Sequence, residues 1–429
     1  METLLDNRFE SLDDISFSRQ KCIRCNMCKF PPLARVESHA HSMGCPAYEH
    51  FQFSANSGGG MVIMANSLME GRSTVTEAVR RTAYGCTLCG LCDVSCKYGT
   101  DIEVLDTLFL LRKHIYEQGH VFPQHQALLD GIRERNHPLQ EHVSRQHQAI
   151  GLPSDKDADT LVWVGSHFGY DTRLYGWLLQ MLALLQQAGQ RYQLLFEQEP
   201  CAARAALEIG DWELFREQSR KVANAIRGAR VARVICLDAE DYSTLRAQSR
   251  RHADIDVPIR HISEIYADLL NGRRLRPRAQ ARLEAPAWHD PCYLGRLGGE
   301  FVPWRGSIRN ANGIPVYEPE RPVNYGDGGV YAPPRELLRR LSAAPLKEFE
   351  RRQEYAYNAG ESGQARSIMP DFARATARRR LGEAHALGIR EVVTECPQAW
   401  LSLAEVGPEF DIRVLSLTGL LTEALRGYK

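Results

Sequence analysis

Four of the chain's twelve cysteines fall in one short run, Cys86-Thr-Leu-Cys89-Gly-Leu-Cys92-Asp-Val-Ser-Cys96. Three thiols two residues apart, then a fourth after three more, is the spacing that wraps a [4Fe–4S] cubane. The chemistry asks for this layout because each of four iron corners takes one thiolate, and a tight turn delivers three. Where two such clusters share a domain, the fourth cysteine of a run reaches across to the other cluster, so one run predicts a second. The second is Cys22-Ile-Arg-Cys25-Asn-Met-Cys28, with Cys45 ahead of Pro46 as its fourth thiol. Crossing assigns Cys22, Cys25, Cys28 and Cys96 to one cluster, and Cys86, Cys89, Cys92 and Cys45 to the other. Two matched groups weigh against zinc ligation or ordinary core thiols.

The spacing departs from a compact double-cluster domain in two places. Sixteen residues separate Cys28 from Cys45, and Lys97 follows Cys96 where proline is usual. The insertion carries His39 and His41, which could replace a thiolate as histidines do in Rieske centres, although a solvated loop is the simpler expectation. Ser57-Gly58-Gly59-Gly60 could turn backbone N–H groups toward a cluster sulfur or a flavin phosphate. It lacks the lysine and serine of a phosphate loop, and reads as a tight turn.

Lys+Arg and Asp+Glu both number 53, so the formal net charge is zero and favours neither nucleic acid nor an anionic membrane as partner. A hydrophobic share of 44% with 25% charged residues suits a globular chain of two or three domains. The N-terminal stretch is acidic and lacks the basic start and apolar core of a signal peptide. The expected setting is therefore the cytoplasm, with reduced cysteines free to bind metal. The most apolar stretch, Leu174 to Leu185, is too short to span a bilayer.

The expected division is a polar lead-in over residues 1–20 opening a two-cluster domain over 1–118, a polar connector over 119–157, and α/β units over 158–275 and 285–429. Leu105, Leu108, Leu111 and Ile115 predict a helix closing the cluster domain. The connector holds several of the six histidines between 114 and 147, but in no metal-ligand spacing. From Asp159 the texture alternates. Strands are expected at Leu161–Gly165, Tyr192–Phe196, Val231–Leu237 and Val257–Ile262, with helices at Thr172–Ala188 and Leu214–Ala229 and another ending at Gly272. The pattern recurs with strands at Ala287–His289, Pro315–Tyr317, Val392–Thr394 and Asp411–Leu415, and the two halves end alike, as an internal duplication would. Arg273-Arg274 and Arg378-Arg379-Arg380 read as solvated faces.

Trp288-His-Asp-Pro-Cys292-Tyr-Leu-Gly-Arg296, Val330-Tyr-Ala-Pro-Pro-Arg335 and Glu395-Cys396-Pro397 resemble the cysteine-rich CCG-domain proteins. That family includes the CCG-bearing chain of heterodisulfide reductase, the glycolate oxidase iron–sulfur subunit and the electron-transfer subunit of class II benzoyl-CoA reductase. The resemblance implies an α/β fold class, with an N-terminal α-helical two-cluster ferredoxin-like domain and a C-terminal half made of a duplicated parallel α/β CCG-type unit. It also implies cysteine positions at Ser166, at Pro200-Cys201-Ala202 and at Asp238 with Asp241 in the first unit. In the second they are Cys292, Asn358-Ala359-Gly360, Cys396 and Ala399, while Cys236 lies out of register and residues 298 to about 327 are an insertion. One or two thiolates cannot furnish four iron corners, so both units are expected to keep the fold without its clusters.

The leading expectation is an iron–sulfur electron-transfer subunit, itself non-catalytic. It would relay single electrons through two [4Fe–4S] clusters between a flavoprotein, a dehydrogenase or an electron-transfer flavoprotein, and another redox centre. No G-x-G-x-x-G follows a strand, so flavin is expected only in the partner of a hetero-oligomer. One alternative is a catalytic reductase, similar to heterodisulfide reductase, using Cys292 and Cys396 or a bound cofactor. The other is a structural subunit whose clusters only stabilise the fold.

Overall fold

The fold is that of a computed structural model describing residues 3–32, 36–140, 152, 154–311 and 314–426. Around the cysteine runs the chain is helical. Helix Gly58–Met69 begins where Ser57 accepts the N–H of Gly60 on its side-chain oxygen, so the glycine run is a capped helix start instead of the expected tight turn. Helix Leu91–Lys97 starts from Gly90, whose φ of 81° only glycine adopts readily. Helix Val104–Glu117 buries Leu108, Leu111 and Ile115 and packs against Gly58–Met69. The connector contributes the helix Pro123–Arg135. Residues 141–151 and 153 of the connector lie outside the described residues.

Nine strands form three sheets: β1 (Thr3–Asp6), β2 (Thr160–Trp163), β3 (Arg233–Cys236), β4 (Ile259–His261), β5 (Pro286–Trp288), β6 (Arg305–Ala311), β7 (Ile314–Glu318), β8 (Glu391–Thr394) and β9 (Arg413–Ser416). β2-β3-β4 and β5-β8-β9 are parallel three-stranded sheets. β2 and β8 are buried along their length, as strands sheathed by helices on both faces are. A lone parallel bridge flanks the first strand of each sheet, Leu161 with Gln193 and Ala287 with Lys347.

Three further expectations about strands are corrected, and Arg380, expected on a solvated face, is instead fully buried against Glu383. The Tyr192–Phe196 strand shrinks to that single bridge: Gln193 donates to Thr160 O and accepts from Val162, then Phe196 turns left-handed (φ 51°) into a 3-10 turn. Pro315–Tyr317 does extend, but in an antiparallel ribbon (β1-β6-β7) apart from the parallel sheets. The supposed polar lead-in supplies β1 to that ribbon, pairing Thr3–Asp6 with Arg305–Ile308. A strand borrowed from three hundred residues away is invisible to local pattern.

Two large cores result. One fills the α/β part; the other lies under the cysteine runs and is completed by Cys201, by Ala203 to Ile209 and by Trp212 to Phe215.

Candidate functional site

Cys22, Cys25, Cys28 and Cys96 line one cavity of about 510 Å³, so the last thiol of the second run joins the three of the first. Left-handed Arg24 (φ 59°) and Asn26 (φ 70°) turn the loop that carries Cys22, Cys25 and Cys28. The Gly59 N–H donates to Cys28 Sγ at 3.2 Å, and Cys96 Sγ lies 2.8 Å from Thr100 Oγ1. A Cβ on Gly59 would stand 3.1 Å from Cys28 Sγ, so this glycine keeps space beside the thiols. The group is the outer one: Cys25 is exposed, and Ile23, which lines the same cavity, shows 72% of its surface.

Cys86, Cys89 and Cys92 are buried in a loop turned by left-handed Leu88 (φ 47°) and Gly90. Cys45 comes within electrostatic reach of these thiols despite its distance in sequence. Burial, then the neighbouring Cys86 and Cys89 thiols, raise its pKa, and Cys45 in turn raises that of Cys92. The Leu88 N–H donates to Cys86 Sγ at 3.3 Å. Gly58 separates the groups at close quarters, since a Cβ there would meet Cys92 Sγ at 2.8 Å.

Lys97, in the usual proline position, is buried with Nζ 2.6 Å from Glu103 and 3.7 Å from Asp101. His41 pairs with Glu350 and faces Ser38, and neither it nor His39 lines the outer cavity.

Burial pushes the metal-free thiols up, Cys86 and Cys96 to about 11, so ligation requires a cation that repays deprotonation. Among the described residues no three or more His, Cys, Asp or Glu side chains gather as for a single metal ion. Four thiols around one cavity, three more in the adjacent loop with Cys45 in electrostatic reach, backbone N–H donors on sulfur and glycines that leave room beside it fit iron–sulfur clusters, which take more space than a single ion. When bound, such clusters supply one-electron redox chemistry.

Of the remaining thiols, Cys292 and Cys396 follow the ends of β5 and β8, and Cys201 precedes helix Arg204–Ile209. Ser166 Oγ and the Ala203 N–H face Cys201 Sγ at 3.5 and 3.3 Å, and burial lifts this thiol to about 12. Asp238 caps the turn after β3 and holds His167 Nδ1 at 3.0 Å; Asp241, buried and raised well above its usual value by burial and by Asp238, has Oδ2 unpartnered. Cys236 lies within β3. Cys292 Sγ meets Glu361 Oε1, Ser362 Oγ and Asn358 Nδ2 at 3.4–3.5 Å, and Cys396 Sγ meets Gln398 Oε1 at 3.3 Å. Gln398 then reaches His167 Nδ1 at 3.0 Å, joining the two sets. Ala399 is buried and apolar.

Sequence reasoning passed over His167, Glu361, Gln398, Arg112 and Arg296. Arg296 stood inside the quoted motif, and His167 and Gln398 lie within two residues of implied cysteine positions, the only signals for them.

A helical layer carrying both cysteine runs, joined to parallel α/β sheets, is the build of an iron–sulfur protein with a ferredoxin-type part. Residues 18–100 match the family described as the 4Fe-4S dicluster domain. Over 77% of its length the chain is 23% identical to the probable iron–sulfur-binding oxidoreductase FadF of Bacillus subtilis. It is 21% identical over 81% to a subunit of the dihydromethanophenazine:CoB–CoM heterodisulfide reductase of Methanosarcina barkeri, and covers 79% of that subunit. Over 57% it is 23% identical to the EtfAB:quinone oxidoreductase of Syntrophomonas wolfei. The chain spans about half the length or less of the first and third, 45% and 35%. These relatives agree with the CCG-domain resemblance read from Cys292 and Cys396. No described helix is long and apolar enough to cross a membrane.

Proposed function

We propose that the chain is the electron-transfer subunit of an oxidoreductase complex, holding two [4Fe–4S] clusters on Cys22, Cys25, Cys28 and Cys96 and on Cys45, Cys86, Cys89 and Cys92. The observation that carries this is the outer cavity, where Cys96 of one run completes the three thiols of the other, the crossing that two clusters require. Electrons enter or leave at the outer group, because Cys25 is exposed and the exposed Ile23 lines the same cavity. The inner group, enclosed by the α/β part, excludes water and passes electrons inward.

The partner is a flavoprotein, a reading supported by the likeness to the EtfAB:quinone oxidoreductase. A flavin takes up a two-electron hydride and releases electrons singly, which suits one-electron carriers. The two parallel sheets are a duplicated unit of the CCG type, supported by their equal strand order and matching lone bridges. They dock partners and hold no cluster. Cys292 and Cys396, each fully enclosed and pushed well up by burial, remain protonated thiols, which weighs against the catalytic-reductase alternative. All twelve cysteines are free, in keeping with work in a reducing compartment such as the cytoplasm.

The test is anaerobic purification, iron and sulfide analysis, and EPR during a redox titration. About eight irons and two coupled cubane signals are expected. More iron with a non-cubane signal would place a cluster in the C-terminal half and bring the catalytic alternative forward.

A further inference from the structure

Eight arginines are buried among the described residues, and six of them pair with a carboxylate: Arg19, Arg204, Arg321, Arg335, Arg351 and Arg380. The two exceptions both press on the inner cysteine loop. Arg296, 2% exposed, donates Nε to Cys89 O at 2.5 Å and Nη1 to Glu354 O and Ala356 O at 2.9 and 2.7 Å. Arg112, 1% exposed, donates Nη2 to Cys86 O at 2.5 Å, Nε to Ala83 O at 3.1 Å, and Nη1 to Glu208 O and Gly363 O at 2.8 and 2.7 Å. All seven hydrogen bonds end on backbone carbonyls, which are dipoles and cannot neutralise a full charge. Glu208, the acid that acts on Arg112, is already engaged by Arg204 at 2.8 Å, and Glu361, the acid that feels Arg296, makes no ion pair with it and is pushed by burial toward its neutral form. Two enclosed cations without counter-ions would be a heavy cost to the fold unless an anion lies beside them.

We propose that this anion is the four-thiolate cluster of the inner group, and that Arg296 and Arg112 are positioning residues that keep that cluster reducible. The proposal rests on the ligand set given above. Enclosure disfavours the extra negative charge that reduction brings, and two fixed positive charges on the Cys86 and Cys89 carbonyls offset it. The outer group has two buried cations of another kind: Lys97 is neutralised by Glu103 and Asp101, and Lys29 Nζ rests on Ser54 Oγ and over the Tyr48 ring, so neither presses on a carbonyl of the thiol-bearing loop. Charge placement thus sets the two clusters apart, the outer tuned by solvent and the inner by arginine.

The experiment titrates the anaerobically purified full chain with dithionite and mediators under EPR, with iron counted for each protein. Arg296→Gln removes the charge and keeps donors; Arg296→Lys keeps the charge. In the Gln variant one midpoint falls by about tenfold in the reduction equilibrium, ~59 mV for one electron, and the other stays. In the Lys variant both stay within about threefold, ~28 mV. A Gln variant with full iron and two unshifted midpoints overturns the proposal. Should the Gln variant lose its inner cluster, a tenfold fall in the Lys variant overturns it instead. A wild-type chain with well under about eight irons would refute the ligand set itself, a distinguishable failure.

Discussion

Cys45 shows most clearly how a single residue can be decisive. It comes from a separate loop and is only half-buried, yet the thiols that act on it most are Cys86 and then Cys89, which is why it is proposed as the fourth ligand there. Cys45→Ser is expected to lower iron from about eight to about four per chain while the outer cluster's EPR signal persists; retained full iron would assign that corner elsewhere. His167 makes a second residue-level prediction. Burial opposes its charge, but the hydrogen bond and charge of Asp238 outweigh burial and raise the imidazole to about 9. Free histidine titrates near 6.5, so the pair's stabilisation is complete below about pH 6.5 and is lost as pH rises through about 9. Asp238→Asn should therefore cost about 2 kcal/mol at pH 6 and distinctly less at pH 10, read from denaturant midpoints; an equal gap at both values would count against the pair. The thiols were legible because ligand chemistry restricts both type and spacing. His167, Gln398 and Arg296 were not, because their partners lie across the fold: Gln398 finds His167 only once the two sheets meet, and Arg296 finds the Cys89 carbonyl over two hundred residues away.

At the scale of elements, the start of helix Gly58–Met69 governs the distance between the two thiol groups. A methyl on Gly58 would stand 2.6 Å from Cys92 Cβ and 3.0 Å from Val104 Cγ1. Gly58→Ala is expected to destabilise by about 1–3 kcal/mol and to lower bound iron. Gly228→Ala, in open space within helix Trp212–Ala229, should be neutral or stabilising by about 0.5–1 kcal/mol. Thermal melts and iron analysis of both would separate crowding from a general intolerance of alanine. Periodicity announced the helix Val104–Glu117 and strands such as β8, whose own side chains carry the signal. It misjudged Tyr192–Phe196 and the glycine run. A strand is defined by its partner and a helix start by its cap, and both are tertiary or backbone facts that composition does not carry.

For the molecule as a whole, the cluster layer and the α/β part are not separable by their cores. The core under the cysteines includes Ala205, Leu207, Ile209 and Phe215, and the Gly363 backbone lies so close to Thr87 that a Cβ there would come within 2.4 Å. Residues 1–118 expressed alone should therefore aggregate or hold only about half the iron of the full chain; a monodisperse fragment with both clusters would show an independent domain. Order of parts was legible from the sequence, but the interlock was not, since it depends on surfaces that no single segment displays.

The unequal cover of the two thiol groups also sets a schedule for maturation. On the folded protein a scaffold delivering iron and sulfide can approach Cys25 directly, but finds Cys86, Cys89 and Cys92 roofed by the segments around Arg296 and Gly363. On the proposed ligand sets, an inner cluster would be installed before the α/β part closes over it, whereas an outer one lost to oxygen would be rebuilt in place. A single molecule would then pair a permanent fitting with a replaceable one, and oxidative damage should be repairable at the outer site alone.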